Sequence, residues 1–548
     1  MSNYTLSPED KSDPLNCNAS AYAGGVRKAD WALGVVLLAF VLGLQILSGA
    51  YHADFDANDD EPAHVVSSLM LHDYLVSGKM AHPWEFATNF YIHYPKVAIL
   101  HWPPLFYFCE AVWMFVTGRS RFGLLSFQAV LAATLVIGLF FWMRRDHGLW
   151  ISFVSALVLA TTPTMRDAAT DVSPDLLLAV LVFWASAQYG LYATTMKSRH
   201  AWWTALLAVG ALGTHGRAAV LFMVPVITQL FVGVTKRRIA AAVAILLVYV
   251  FVPALIGQAY AYSPASALAN SLRYLTRLGA ALNWYVVALA VVGMAVGLRS
   301  GQTSGQPRAP VKAIIALVLS CFIFYSVVNV PFEEFFLVTS IPAMVVLAAA
   351  GAQALLCAAS SSRLGSGIPA TALVLLALGF AAWNVSRMPR KSGGMAQRIV
   401  GNDVPYRDAR KIWMVAGSTN FEGAVIAEVA LRDLAQDHVI LRASKMLARS
   451  TWSKAHYRML FHDLPSVLNL LDRDHVGWVV SEEDGSAPHI RQLDTAVASI
   501  YPAWQRVMLA DVPAPRLNIF KRTEPLPGIP KIEIDMSGTF GSSFRLHE

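Results

Sequence analysis

Residues 121–148 read RFGLLSFQAVLAATLVIGLFFWMRRDHG, and no charge interrupts residues 122–143 before Arg144-Arg145 closes the stretch. An α-helix rising 1.5 Å per residue crosses the hydrocarbon core of a bilayer in about 20 residues. The stretch reads as a membrane span with a basic end. Similar apolar runs recur near 31–50, 149–165, 174–192, 201–215, 218–234, 239–258, 281–298, 311–329, 335–357 and 367–386, about eleven in all. The composition agrees: 55% of the 548 residues are apolar and 14% charged, with a mean hydropathy of +0.47, outside the balance of soluble proteins.

The net charge of +7 does not point to nucleic acid, because the basic residues are scattered between apolar runs instead of gathered on one polar face. Their placement follows the positive-inside rule. Arg27-Lys28, Arg144-Arg145, Lys197/Arg199, Lys236-Arg237-Arg238, Arg299/Arg308/Lys312 and Arg363 fall in alternate loops, which puts the N-terminus in the cytoplasm. Residues 51–121 and everything after 387 then lie outside it. Ser48-Gly49-Ala50 loosely resembles a cleavage site, but the apolar run and its polar leader are long for a signal peptide, and an uncleaved span is expected. Cys17, Cys109, Cys321 and Cys357 are widely separated and form no disulfide or zinc pattern.

The fold class expected is a polytopic α-helical membrane protein of about eleven transmembrane helices with a C-terminal extracytoplasmic α/β domain. Its parts are a cytoplasmic tail over 1–30, a transmembrane domain over 31–387 that includes an extracytoplasmic loop over 51–121, and a soluble domain over 400–548. In the last, the patches KIWMVAG, HVILRAS, VGWVVSEE and RLNIFKR alternate with helix-like segments, the pattern of a small α/β domain. It contains no GxGxxG, Walker loop or nucleophile elbow.

HADFDANDDEPAH, residues 52–64, places five carboxylates just after the first span. An EF-hand is a poor fit, since the sixth position from Asp54 is Asp59 where the loop needs glycine, and the twelfth is Val65 where it needs glutamate. A helix start is a better fit: Asp60 or Glu61 caps it, Pro62 lies in its first turn, and Gly78 ends it. Capping employs one acid at most. An acid at the water–lipid boundary is also placed to take a proton from an attacking hydroxyl, and ionisable groups near membrane depth are expensive enough to suggest function. Asp167, Asp171 and Asp175 form a second acidic group on the same face, where Pro174 and Asp175 also suit a helix start. Two such starts on neighbouring spans suggest a shared cavity. The loop between the two acidic groups, NFYIHYPKVAILHWPPLFYF, mixes aromatics with His93, Lys96 and His101. It reads as an interfacial belt or as a cationic seat for a lipid phosphate, with Arg217, Arg273 and Arg277 further candidates on that face.

Taken in order, these segments resemble the GT-C glycosyltransferases that use polyprenyl-phosphate sugars, especially the branch of bacterial lipid A aminoarabinose transferase and protein O-mannosyltransferases. Asp60-Glu61 is similar to the acidic pair after span one, HWPPLFYF to the Pro-Pro-Leu segment, SPDLLLAVLVFWA to the later span opened by Asp, and EEFFLVTSIPAMVVLAAAG to a late basic-aromatic segment. Phe335-Phe336 stand where relatives often carry Arg-Tyr, and the basic residue before Pro-Pro is displaced, leaving Lys96 or His101. The resemblance implies an inverting transfer from a polyprenyl-phosphate sugar to a hydroxyl of a lipid, glycan or protein acceptor. Asp60 would be the base and Glu61 its positioning partner. Asp171 or Asp175 would bind sugar or acceptor, and Lys96, His101 and Arg217 would stabilise the departing phosphate. No cofactor is required, a divalent cation is compatible with the chemistry, and no residue is assigned to a metal. The location implied is a bacterial-type cytoplasmic membrane. A multi-span ion-coupled transporter is the alternative, although the acids here sit at span ends and not near the bilayer midplane.

Overall fold

The computed structural model describes residues 27–78, 81–232, 267–299, 309–328, 332–360, 367–391, 394–401, 406–449, 457–482, 487–508, 517–535 and 543–545. The apolar run near 239–258 and the basic groups at 236–238, 308 and 363 lie outside these residues. The first helices are α1 (Lys28–Ser48), α2 (Glu61–Ser77), α3 (Pro83–His93), α4 (Leu105–Thr117), α5 (Arg121–Thr161), α6 (Pro163–Thr170), α7 (Asp175–Thr195) and α8 (Ser198–Thr214). Five described helices are long and apolar enough to cross a membrane: α1, α5, α7 and those covering Ala309–Val327 and Ile341–Ser360. A sixth span is reached if Ala267–Leu282 and Trp284–Arg299, which meet at 108°, count as one.

The chain divides into two compact units. One comprises Met1–Ser48, Trp102–Phe106 and Ser126–Pro389, and the other Gly49–His101, Tyr107–Leu125 and Arg390–Glu548. Most of residues 51–121 therefore group with the C-terminal residues in the second unit.

In the first unit, α5 is not one straight rod. Phe140 and Phe153 are thirteen positions apart, which is about 20 Å along a continuous helix, yet their ring centroids are 6.4 Å apart. The chain reverses at Gly148, whose φ of 78° and ψ of 175° are not helical, so the two apolar runs of the sequence become the two arms of a hairpin. The beginning of α1 lies against the end of the first arm, where Arg144 donates to Asp30 at 3.0 Å and Trp31 meets Phe141 with centroids 4.9 Å apart.

Further on, the helices Trp284–Arg299 and Ile341–Ser360 cross at Gly293 and Gly351. A Cβ at Gly293 would run into the carbonyl of Leu347, and one at Gly351 into the carbonyl of Leu289. Small residues let the backbones approach this closely, as is usual for helix pairs in lipid. No flexible side chain stands at either contact to yield. Gly351→Val is therefore expected to destabilise the protein by about 1–3 kcal/mol through overpacking, seen as a lower melting temperature in detergent. Gly379→Val, at a position open to space, is expected to leave the melting temperature unchanged.

In the second unit, the four apolar patches of the C-terminal sequence are strands: β1 (Ile412–Ala416), β2 (Val439–Arg442), β5 (Trp478–Glu482) and β7 (Leu517–Arg522). Short strands β3 (Ala448–Arg449), β4 (Arg458–Met459) and β6 (Trp504–Arg506) lie between these in the chain. The main sheet has the order β2-β1-β5-β7-β6. Strand β1 is parallel to β2 and β5, whereas β7 is antiparallel to β5 and to β6. The helix Thr419–Arg432 is the crossover from β1 to β2, and Trp413, Trp478 and Trp504 fill the core with almost no exposure. Residues from 49–125 are tied into the same unit. Asp54 accepts from the backbone N–H groups of Ala396 and Gln397, each at 2.9 Å, and so caps the helix Met395–Gly401 from a distant part of the chain. Arg119 donates to the carbonyls of Ala430 and Leu431 at 2.6 and 2.7 Å, serving the otherwise unsatisfied C-terminal end of Thr419–Arg432.

Candidate active site

The start of α2 decides what the acidic stretch does. Asp60 occupies the N-cap position, but its side chain makes no capping hydrogen bond. Asn58 does that work: its Oδ1 accepts from the N–H groups of Asp60 and Glu61, both at 2.9 Å. The capping role expected of Asp60 or Glu61 therefore belongs to Asn58. Glu61 is buried, and its Oε2 accepts the N–H of Ala57 at 2.9 Å, which braces the loop before the helix. Pro62 sits in the first turn, and Gly78 closes the helix at a φ of 67°, as the spacing indicated.

Lys96 lies beside this helix start. It is 6% exposed, and burial, then the Arg442 cation, pull its pKa down to about 7 against the opposing charges of Asp60, Glu422 and Asp59. Its aliphatic stem packs on the helix Thr419–Arg432, where a Cβ at Gly423 would stand 2.9 Å from Pro62 Cγ and 3.1 Å from Lys96 Cε. The loop carrying Lys96 is pinned by Ser67, whose Oγ accepts from the N–H of Ala98 at 3.0 Å. His101 is exposed at the end of that loop.

One consequence of this burial is a pH-dependent stability. An ordinary lysine titrates near 10.5, above the folded value of Lys96, so the unfolded state binds more protons between those two values and stability rises with pH through that window. Below about pH 7 the full cost of burying the ammonium is present. Lys96→Met is expected to raise the melting temperature at pH 6–7, with the gain shrinking as pH approaches 10; a gain of equal size at both ends would mean that charge burial is not its source.

Further along α2 the polar side chains are tightly paired. His64 Nδ1 and the Tyr107 hydroxyl are 2.9 Å apart, and Ser68 donates to Glu110 at 2.5 Å. At thirteen residues α4 is too short to span a bilayer. Burial, with added repulsion from Glu61, pushes the Glu110 carboxyl up to about 8 despite the Ser68 bond. From the preceding loop, Tyr94 donates to Asp433 at 2.7 Å. Asp433, Asp437 and His438 are the one group of three among the described residues with ligand atoms close enough to hold a metal ion. The imidazole already lies 3.0 Å from one carboxylate and 2.9 Å from the other, the arrangement of a histidine–carboxylate joint.

In the first unit, Asp175 is the first residue of α7 and ion-pairs with Arg217, both side chains almost fully buried. Arg217 sits in a 3₁₀ turn, Gly216–Phe222, whose N-cap His215 accepts from the Arg217 N–H at 3.0 Å. Its guanidinium lies over the rings of Phe335 and Phe336, at 5.2 and 4.9 Å from their centroids. Two residues picked separately from the sequence thus meet as a pair, and the Phe-Phe that replaces Arg-Tyr provides an aromatic floor for it. Asp171 is half-buried before α7, with the Thr170 hydroxyl 3.4 Å from its carboxylate, while Asp167 pairs with Arg166 at 2.8 Å. Arg273 is exposed, and Arg277 pairs with Glu334 at the surface.

This architecture is similar to the crystal structure of ArnT from Cupriavidus metallidurans bound to undecaprenyl phosphate, with a TM-score of 0.54 and 13% identity over 92% of this chain and 100% of that one. The chain has the GT-C fold. The apo state of the same ArnT gives a TM-score of 0.53 at 12% identity, over 90% of this chain and 98% of that chain. A family model described as dolichyl-phosphate-mannose-protein mannosyltransferase matches residues 101–260. No curated protein matches the sequence significantly. Within this chain the match begins at His101 and covers Asp171, Asp175 and Arg217, but not Asp60, Glu61 or Lys96.

Sequence reasoning missed three residues that shape these clusters. Asn58 was hidden among stronger candidates, although Asn two or three positions before a Pro-led helix is a recognisable Asx-turn signal. Arg442 and Glu422 come from the C-terminal segment, and no local pattern links them to Lys96.

Proposed function

We propose that the protein is a membrane glycosyltransferase that moves a sugar from a polyprenyl-phosphate donor to an acceptor hydroxyl on the extracytoplasmic side, with inversion. Asp60 takes the hydroxyl proton and Glu61 holds the loop that places it. Asp175, with Asp171, contacts sugar or acceptor. Lys96, His101 and Arg217 meet the charge that develops on the departing phosphate, where fixed cations lower the barrier most. The observation that carries the reading is the N-terminus of α2: Asn58 does the capping, and the Asp60 carboxylate stands at the helix start within electrostatic reach of a buried lysine whose pKa is lowered to about 7. The fold supports it, as does the undecaprenyl phosphate bound to ArnT and the mannosyltransferase description of the matching family. The donor needs no nucleotide, because its own phosphate linkage supplies the leaving group. The alternate basic loops support an N-terminus in the cytoplasm of a bacterial-type inner membrane.

The test is transfer in proteoliposomes. Purified protein is supplied with radiolabelled sugars on a polyprenyl phosphate and with an extract of envelope lipids and glycans, and release of the free carrier is followed. Acceptor-dependent release that is lost in Asp60→Asn supports the reading. Folded protein that releases no carrier with any of the sugars overturns it.

A further inference from the structure

Tyr457, His489 and Gln492 form a polar cluster in the second unit that the functional reading leaves unused. His489 and Gln492 lie three positions apart on the helix Pro488–Ala498, so they share one face. The Tyr457 hydroxyl accepts from the His489 backbone N–H at 3.2 Å and stands 2.9 Å from the His489 Nδ1. Its single proton is left to point at that ring nitrogen. Burial pulls the imidazole of His489 below its usual range, against the raising charge of Glu422, so the ring is neutral and carries one proton. Nδ1 accepts from the phenol, which places that proton on Nε2. His489 is 3% exposed, and its Nε2 has no hydrogen-bond partner among the described residues. Gln492 is fixed in a similar way. Its Nε2 donates to the carbonyls of Phe461 and Asp463 at 3.3 and 3.5 Å, which turns Oε1 to the other side, and that oxygen is also buried without a partner among the described residues. A donor and an acceptor thus stand unused on one helix face, each costly to bury unmade.

A group that satisfies both atoms must accept one hydrogen bond and donate another. An ionised phosphate or carboxylate oxygen cannot donate to Gln492, and the charge of Glu422, felt at His489 and held in place by Arg442 and Ser444, opposes an anion. An ammonium cannot accept from His489. A hydroxyl does both. The Tyr457 residue is 41% exposed while its hydroxyl is tied to His489, so an accessible aromatic ring stands beside the pair. Aromatic surface with a few placed polar groups is the usual lining of a site for a small neutral ligand. We propose that His489, Gln492 and Tyr457 form a subsite for a neutral sugar: His489 Nε2–H donates to one sugar hydroxyl, that hydroxyl donates to Gln492 Oε1, and the C–H face of the sugar rests on the Tyr457 ring. The proposal deepens the functional reading above and rests on it for the purpose of the subsite, which is to hold a glycan acceptor on the α/β segment. A lone water also satisfies the two polar atoms, but it gains nothing from the Tyr457 ring and does not distinguish one sugar from another.

The experiment uses the full chain in nanodiscs and measures binding directly, with no turnover required. Saturation-transfer NMR follows the methyl glycosides of glucose, galactose, mannose and N-acetylglucosamine on wild type, Gln492→Leu, Tyr457→Phe and Tyr457→Ala. At least one glycoside is expected to bind, and to bind about tenfold more weakly to Gln492→Leu, the loss of one buried hydrogen bond. Tyr457→Ala removes both the ring and the phenol and is expected to lose as much, with Tyr457→Phe in between. Replacing the bound hydroxyl of that glycoside by hydrogen is expected to cost the same factor on wild type and nothing further on Gln492→Leu, the signature of two groups in contact. Wild type that binds none of the glycosides overturns the subsite and leaves the pair to water only, and so does affinity unchanged in both Gln492→Leu and Tyr457→Ala. If the variants melt early, the deoxy glycosides on wild type decide, and the subsite is overturned when every one of them binds as tightly as its parent. A chain that binds a glycoside through this pair yet transfers no sugar keeps the subsite and loses the transferase reading, whereas one that transfers sugar but binds no glycoside does the reverse.

Discussion

Asp60→Asn is expected to lower kcat by about 10²–10⁴-fold, the usual contribution of a general base, while the melting temperature and the KM for the lipid-linked donor change little. Asparagine keeps the size and shape of the side chain, and the helix start does not depend on the lost charge because Asn58 holds the N–H groups of residues 60 and 61. The contrast comes from Asn58→Ala, which removes the cap, costs about 1 kcal/mol of stability, and leaves the acid in place. A purely structural Asp60 would reverse the pattern, with stability falling and turnover retained. Asp60 also opposes the lowering of Lys96, so its neutralisation should move the Lys96 titration further down and shift the basic limb of any residual activity to lower pH. Wild-type turnover by a folded Asp60→Asn protein removes Asp60 from the chemistry.

How much of this was legible beforehand follows from the range of each interaction. Periodicity and charge-free length are local properties, so the apolar runs lying in the described residues fall on helices, α2 ends at Gly78, and the four apolar patches after residue 400 are strands. The reversal of the chain at Gly148 also agrees with the basic Arg144-Arg145 turn expected there. The number of spans is harder to read from sequence, because Ser198–Thr214 and Gly216–Val232 are helical yet shorter than the about 20 residues that cross the hydrocarbon core. The acids illustrate the limit best. A cap is a short-range signal, but three carboxylates compete for it between 59 and 61, and side-chain geometry alone shows that none of them provides it. Asp54 looked like part of the same cluster and instead caps Met395–Gly401 across more than three hundred residues. The same holds for Arg442, whose influence on Lys96 depends on the β1–β2 crossover bringing Gly423 against Pro62. Pairings of that range are set by tertiary structure, and a single sequence carries no trace of them.

Asp175→Ala is expected to destabilise the protein by about 3–5 kcal/mol, the cost of stranding one member of a buried ion pair. With Asp175 gone, the guanidinium of Arg217 still has the His215 ring and the faces of Phe335 and Phe336 beside it. A cation over an aromatic face gains about 0.5–2 kcal/mol, which is too little to offset the lost carboxylate. Asp175→Leu combined with Arg217→Met removes both charges at similar volume, and replacing a buried pair in this way is often neutral for stability. The double variant is therefore expected to melt near wild type, well above Asp175→Ala. Catalysis separates the two roles that the pair can play. If Asp175 and Arg217 only hold α7 against the 3₁₀ turn, the double variant recovers turnover along with its melting temperature. If they contact sugar and phosphate as proposed, stability returns while kcat/KM stays depressed by two orders of magnitude or more, because neither leucine nor methionine supplies a hydrogen bond or a charge to the transition state.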